Sequence, residues 1–138
     1  MTAEERSAYV RYRLQRAKQT LEEARVLLDA GMLPGAVNRV YYAMFYAASA
    51  LALDHGFSTS SHGQLRGFFN REFVKTGQVP VELGKAYGAA FDSRTKGDYD
   101  DLIEFDTAQL ELMLSEARGF VQSVESLLSA PEPEPGIS

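Results

Sequence analysis

Six positions hold residue types that could make up a site for a phosphorylated aromatic ligand, five able to contact it and one, Asp98, beside them as a carboxylate that repels phosphate: Arg39, Tyr42, His62, Arg94, Asp98 and Tyr99. Arg39 borders a long apolar run, with Tyr42 and Tyr46 on the same helical side at i+3 and i+7. Arg94 follows Phe91 and precedes the Asp98-Tyr99-Asp100 turn, while His62 stands beside Ser61 at a helix start. An arginine fork meets phosphate through parallel charge-assisted bonds, a tyrosine face stacks on a base, and the free amides of a helix N-terminus hold an anion. Three of them also have a purely structural use. Arg39 and Arg94 can anchor acids, and His62 can serve as a cap. Spacing alone does not bring the residues together; that depends on the elements that carry them.

Other chemistries find no footing. The histidines are His55 and His62, seven residues apart across a glycine-containing loop, and the chain has no cysteine. A zinc site of three protein ligands is therefore not expected, and neither is a buried carboxylate pair, since the apolar stripes carry no acids. The acidic stretch Asp98, Asp100, Asp101, Glu104 and Asp106 lacks the turn glycine and acid spacing of a calcium loop. It reads as a solvated connection whose last acids sit at a helix N-terminus. Phosphate-loop glycine motifs and a G-x-S-x-G nucleophile elbow are missing. No cofactor or metal is expected.

The positioning elements are helices. Val10, Leu14, Ala17, Leu21, Ala24 and Leu28 recur at steps of four and three, forming one stripe from about Thr2 to Ala30, with Gly31 as its stop. Arg11, Arg16, Lys18, Glu22 and Glu23 fall on the opposite face. A second helix opens near Pro34 and ends at Gly56; from Val40 to Leu53 it is apolar apart from Ser49. That run is shorter than the roughly 20 residues a membrane span needs, so it must be buried among neighbours. Ser61 and Gln64 have capping-box spacing for a third helix, about His62 to Thr76, ending at Gly77. Pro80 opens a fourth, with Gly97 as its expected end, and Asp106 with Gln109 caps a fifth bearing Leu110, Leu114, Ala117, Val121, Val124 and Leu128. The fold class is all-α: an antiparallel up-and-down bundle of four main helices plus a shorter one, over residues 1–130, with 131–138 a disordered tail.

Composition adds bounds. At 138 residues the chain has room for one core, and its net charge of −5 argues against general nucleic-acid coating. A local basic site stays open, because ten of the fourteen cations are arginine. The N-terminus is charged from the start and reads as no signal peptide, so a cytoplasmic location is expected. The all-round apolar second helix asks for cover from several neighbours, and a symmetric homodimer is expected.

The ordered set NRVYYAMFYAASALAL, SHGQL, REFVKTG and FDSRTKGDYD resembles the HEPN-domain proteins of bacteria and archaea, in particular their small stand-alone members, over about Leu21 to Val121. The resemblance implies a helical bundle, usually dimeric, often encoded beside a minimal nucleotidyltransferase in toxin–antitoxin or defence modules. It also implies, for many members, a metal-independent ribonuclease motif R-x(4–6)-H. In that motif histidine handles the 2′-hydroxyl proton and arginine steadies the phosphate. Here Arg94 matches and Tyr99 resembles the tyrosine that often follows. However, no histidine lies after Arg94, and Asp98 occupies its neighbourhood.

Three functions compete on this reading. The first is a binding and interaction module that pairs with a minimal nucleotidyltransferase and binds nucleotide or RNA, its ribonuclease motif degenerate. The second is an RNA endonuclease toxin using Arg94 with His62 or Arg39, and the third a structural dimer without a ligand.

Overall fold

A computed structural model describes residues 1–129, and the 131–138 tail lies outside the described residues. The helices are α1 (Ala3–Asp29), α2 (Leu33–Asp54), α3 (His62–Phe69), α4 (Val81–Tyr99) and α5 (Thr107–Ser129), with a single π-helical turn, Asn70–Val74, continuing α3. The architecture is the expected all-helical bundle plus a short helix.

Local chemistry explains the boundaries. The Thr2 hydroxyl accepts from the Glu5 amide at 3.0 Å, and Asp106 accepts from the Gln109 amide at 2.7 Å. Ser61 accepts from the Gln64 amide at 3.2 Å, but the reciprocal half of the capping box is absent. Gln64 instead accepts from the Thr59 hydroxyl, whose oxygen takes the Ser61 amide at 3.1 Å. Gly31, Gly56 and Gly77 follow helices at φ of 75°, 83° and 81°, where a side chain would be strained.

Two expectations are corrected. α4 does not stop at Gly97 but runs to Tyr99, so Asp98 is helical and not part of the acidic connection. Gly97 lies outside the positive-φ glycines, and the ring of Phe105 sits against its open side. The third helix also does not run regularly to Thr76. Its last turn widens, with Phe69 and Phe73 both buried and their ring centroids 5.3 Å apart.

α2 is the axis of the bundle and contacts α1, α3, α4 and α5. Twelve of its residues are buried within this single chain, so the apolar run does not by itself require a second subunit. The face it leaves half-open carries Tyr42, Phe45, Tyr46 and Ser49, at i, i+3, i+4 and i+7. Among the described residues, no helix is long and apolar enough to cross a membrane.

Candidate functional site

The half-open face of α2 meets the start of α3 and the last turns of α4. Tyr41, fully buried, points its ring between these elements: it lies 5.2 Å from the Tyr42 centroid, 5.6 Å from His62 and 5.8 Å from Phe91. His62, at the first residue of α3, is stacked on Phe45 at 4.5 Å and edge-on to Tyr42 at 5.8 Å. Its place follows from Ser61, which caps α3 and leaves the imidazole free to turn inward.

Arg94 reaches the same spot from α4. Its guanidinium lies over the rings of Tyr41 and Tyr42, at 5.2 and 5.7 Å, and Nη1 donates to the Tyr42 hydroxyl at 3.1 Å. Its Nε is buried without a hydrogen-bond partner among the described residues; the Asp98 carboxylate, one turn on, stands 3.7 Å away. The Arg39 guanidinium also lies over Tyr42, 5.2 Å from the ring centroid. It donates to Asn38 Oδ1 at 2.7 and 3.0 Å and pairs with Glu23 at 3.4 Å. Tyr42 thus has two guanidiniums within 6 Å of its ring centroid. The structure brings together Arg39, Tyr42, His62, Arg94 and Asp98; the side chain of Tyr99 lies outside the described residues.

The structural uses considered from sequence are partly realised alongside this convergence. Arg39 does hold an acid, and Arg94 has one in range, whereas Ser61 rather than His62 accepts the cap bond. Sequence reasoning missed Tyr41 and Phe45 as parts of the site, because each reads as one more apolar residue of a core helix.

The protonation of His62 follows from its partner. The Tyr41 hydroxyl and His62 Nδ1 are 2.6 Å apart. Burial pushes the Tyr41 phenol up, so it keeps its proton, and that proton finds no other acceptor among the described residues. Tyr41 therefore donates to Nδ1, which places the imidazole proton on Nε2. Burial, and then the charge of Arg94, holds His62 below its ordinary value of 6.5, so it is neutral at pH 7. A neutral ring with Nε2–H donates to a phosphate oxygen. It offers no lone pair at Nε2 with which to take a hydroxyl proton.

Comparison with known proteins agrees with this arrangement of helices. The HEPN domain pattern matches residues 10–127. The chain belongs to the HEPN family. It is 44% identical over 124 residues to a UPF0332 protein of Thermotoga maritima, covering 90% of this chain and 94% of that one. It is 30% identical to a Methanocaldococcus jannaschii protein named "Putative toxin MJ0142", covering 83% of this chain and 78% of the relative. Identity to the UPF0332 protein glr0978 of Gloeobacter violaceus is also 30%, over 84% of this chain and 93% of that one. Within this HEPN chain, Asp98 stands four residues after Arg94, and the imidazole that shares the Tyr41 ring with Arg94 comes from α3. Among the described residues, no group of three or more His, Cys, Asp or Glu residues is placed to hold a metal ion.

Proposed function

We propose that this HEPN protein is the binding member of a toxin–antitoxin-type pair, a homodimer that associates with a minimal nucleotidyltransferase and binds the phosphate and base of a nucleotide or RNA end. The observation that carries the reading is the Arg94 guanidinium, 19% exposed and lying over two tyrosine rings with its Nε unmatched, while His62 packs against the same Tyr41 ring. Unmatched donors on a buried cation favour an anion that completes them. The base would lie along the aromatic cluster that Tyr42 shares with Tyr46, and the toxin-named relative supports the module assignment. The family's ribonuclease chemistry is not part of this reading, because the histidine present is held in a donor state.

The test is nucleotide and RNA titration of the purified protein, with Arg94→Gln and Arg39→Gln beside it. Loss of charge-assisted phosphate bonds is worth about 1.5–3 kcal/mol, or roughly 10- to 150-fold in affinity. Unchanged binding in both variants would remove the site from consideration. A second reading, RNA cleavage by Arg94 with His62, is favoured by their shared contact with the Tyr41 ring. Robust cleavage that survives repurification and disappears in His62→Ala would establish it. Light scattering at about 100 μM, well above working affinities, tests the dimer, and a monomeric mass would refute it.

A further inference from the structure

Beyond Tyr42, the half-open face of α2 continues into a cleft of about 600 Å³ against α1 and the loop before α3, its walls including Tyr12, Arg13, Arg16, Tyr46, Ser49 and Thr59. Two of the lining residues are arginines and none is an acid. Arg13 is half-buried, yet its guanidinium meets only neutral groups: Nη1 donates to the Ser49 hydroxyl at 2.8 Å and to the Ser49 carbonyl at 3.3 Å. No carboxylate among the described residues pairs with it. Arg16 lies 5.0 Å over the Tyr46 ring and donates to the Tyr46 hydroxyl at 3.3 Å. The carboxylate in its range is Glu23, at 3.9 Å, shared with Arg39. Tyr12, 63% exposed, gives the rim an open aromatic face.

This combination differs from a solvated helix face. Arginines on an exposed helix normally trail into water or pair with acids on the same helix. Here they are fixed against an aromatic ring and a serine; Arg13 has no paired carboxylate among the described residues, and Arg16 has only Glu23 at 3.9 Å, which Arg39 shares, in a chain of net charge −5. Fixed cations beside aromatic platforms are the elements of single-strand binding, in which guanidiniums track the backbone and rings take successive bases. The cleft also joins the first site without a break. Phe45 lines it and stacks on His62, and Tyr46 lies 6.0 Å from Tyr42. Along α2, Tyr42 to Ser49 is a rise of about 10 Å, more than one phosphate needs.

We propose that this cleft is a second subsite for single-stranded RNA, in which Arg13 and Arg16 hold a phosphodiester next along the strand from the one at Arg94, and Tyr46 and Tyr12 stack its base. The proposal rests on the nucleotide-binding reading above and adds that the ligand is a strand longer than one nucleotide.

The test compares a mononucleotide with a six-residue oligoribonucleotide by fluorescence anisotropy across a salt series. The wild-type protein should bind the hexamer more tightly than the mononucleotide. Arg13→Gln/Arg16→Gln should lose at least tenfold of that hexamer affinity, and about 0.7 of the logarithmic salt slope, the share of the one phosphate they hold. Arg94-dependent mononucleotide affinity should stay within twofold. Because Arg13 also braces Ser49, Gln19→Glu provides a second variant: it places a negative charge at the exposed cleft rim without removing a contact, and should weaken the hexamer alone. Hexamer binding that needs Arg94 but ignores all three cleft substitutions would overturn the subsite and leave the first site standing. Hexamer binding that needs Arg13 and Arg16 but not Arg94 would support the cleft and refute the first site. Absence of any hexamer binding overturns both, and displacement of the hexamer by polyglutamate at equal charge would assign the cleft to an acidic protein surface instead.

Discussion

Tyr41→Phe removes one oxygen atom from a fully buried ring and asks whether that oxygen sets the state of His62. The ring itself stays packed against Tyr42, Tyr87 and Phe91, so the aromatic contacts survive. What is lost is the hydrogen bond to Nδ1. Such bonds contribute about 0.5–1.5 kcal/mol net. At this chain length a loss of about 1 kcal/mol lowers Tm by roughly 3–5 °C. The diagnostic readout is the ring itself. Long-range proton–nitrogen NMR of the wild-type protein at pH 7 should show the proton on Nε2, and the variant should show a mixture of both tautomers. A wild-type spectrum with the proton on Nδ1, or a variant with an unaltered tautomer, would refute the assignment and restore His62 as a candidate base.

Other consequences follow from packing and charge. Gly84→Ala should lower stability by up to about 2 kcal/mol on thermal melting, since overpacking costs about 1–3 kcal/mol against a helix-propensity gain near 1. Its new Cβ would stand 2.9 and 3.0 Å from the two methyls of Val74, a stiff β-branched neighbour. Gly88→Ala should instead be neutral or stabilising by up to about 1 kcal/mol, because the atom it meets at 2.7 Å is the far end of Arg66, free to swing aside. A shared sign for the two would contradict this account of the α3–α4 contact. For pH, His62 is held below 6.5 in the folded chain, so the unfolded chain takes the proton first as pH falls. The stability contributed by neutral His62 should be complete above about pH 6.5 and lost as pH drops through the lowered folded value. Asp29 and Glu111, held below 3.8 and 4.5 by Arg25, respond in a more acidic range. Melting of the wild-type protein against His62→Gln between pH 7.5 and 5 should show the gap narrowing.

The helices were legible because burial imposes a period. The stripes beginning at Val10 and Leu110 are buried except for Leu14 and Leu128, which are half-buried and still packed on the core. Gly97 was misread because glycine ends a helix only where the chain must turn left-handed. In a right-handed position it costs only about 1 kcal/mol, and Asp100 N–H to Lys96 C=O carries the helix past it. Arg39 and Tyr42 were legible as a pair through their spacing on one helix. Arg16, read from sequence as part of the polar face of its helix, was not, and neither was Arg13; only the packing of α1 on α2 sets them against Tyr46 and Ser49. Nor could spacing reveal the bond between Tyr41 and His62, twenty-one residues apart on different helices.

Asp98 is where sequence and geometry together give the sharpest expectation. In line with Arg94 one turn earlier, its carboxylate lies 3.7 Å from the unmatched Nε. That is too long for a hydrogen bond and close enough to compete with an incoming anion for the same guanidinium. It is 46% exposed, so the pair is a surface one, worth about 0.2–1 kcal/mol. A bound phosphate must displace that interaction and also tolerate the carboxylate's charge. Asp98→Asn removes both terms while keeping the side chain's size, so nucleotide affinity should rise about 1.5- to 5-fold, with more gain at low salt than at high. An aspartate that merely positions Arg94 predicts the opposite, weaker binding in Asp98→Asn as the guanidinium loses its tether. The two roles therefore separate on the sign of one titration, and a fall in affinity would mean that Arg94 is set for the ligand by Asp98 rather than by the faces of Tyr41 and Tyr42.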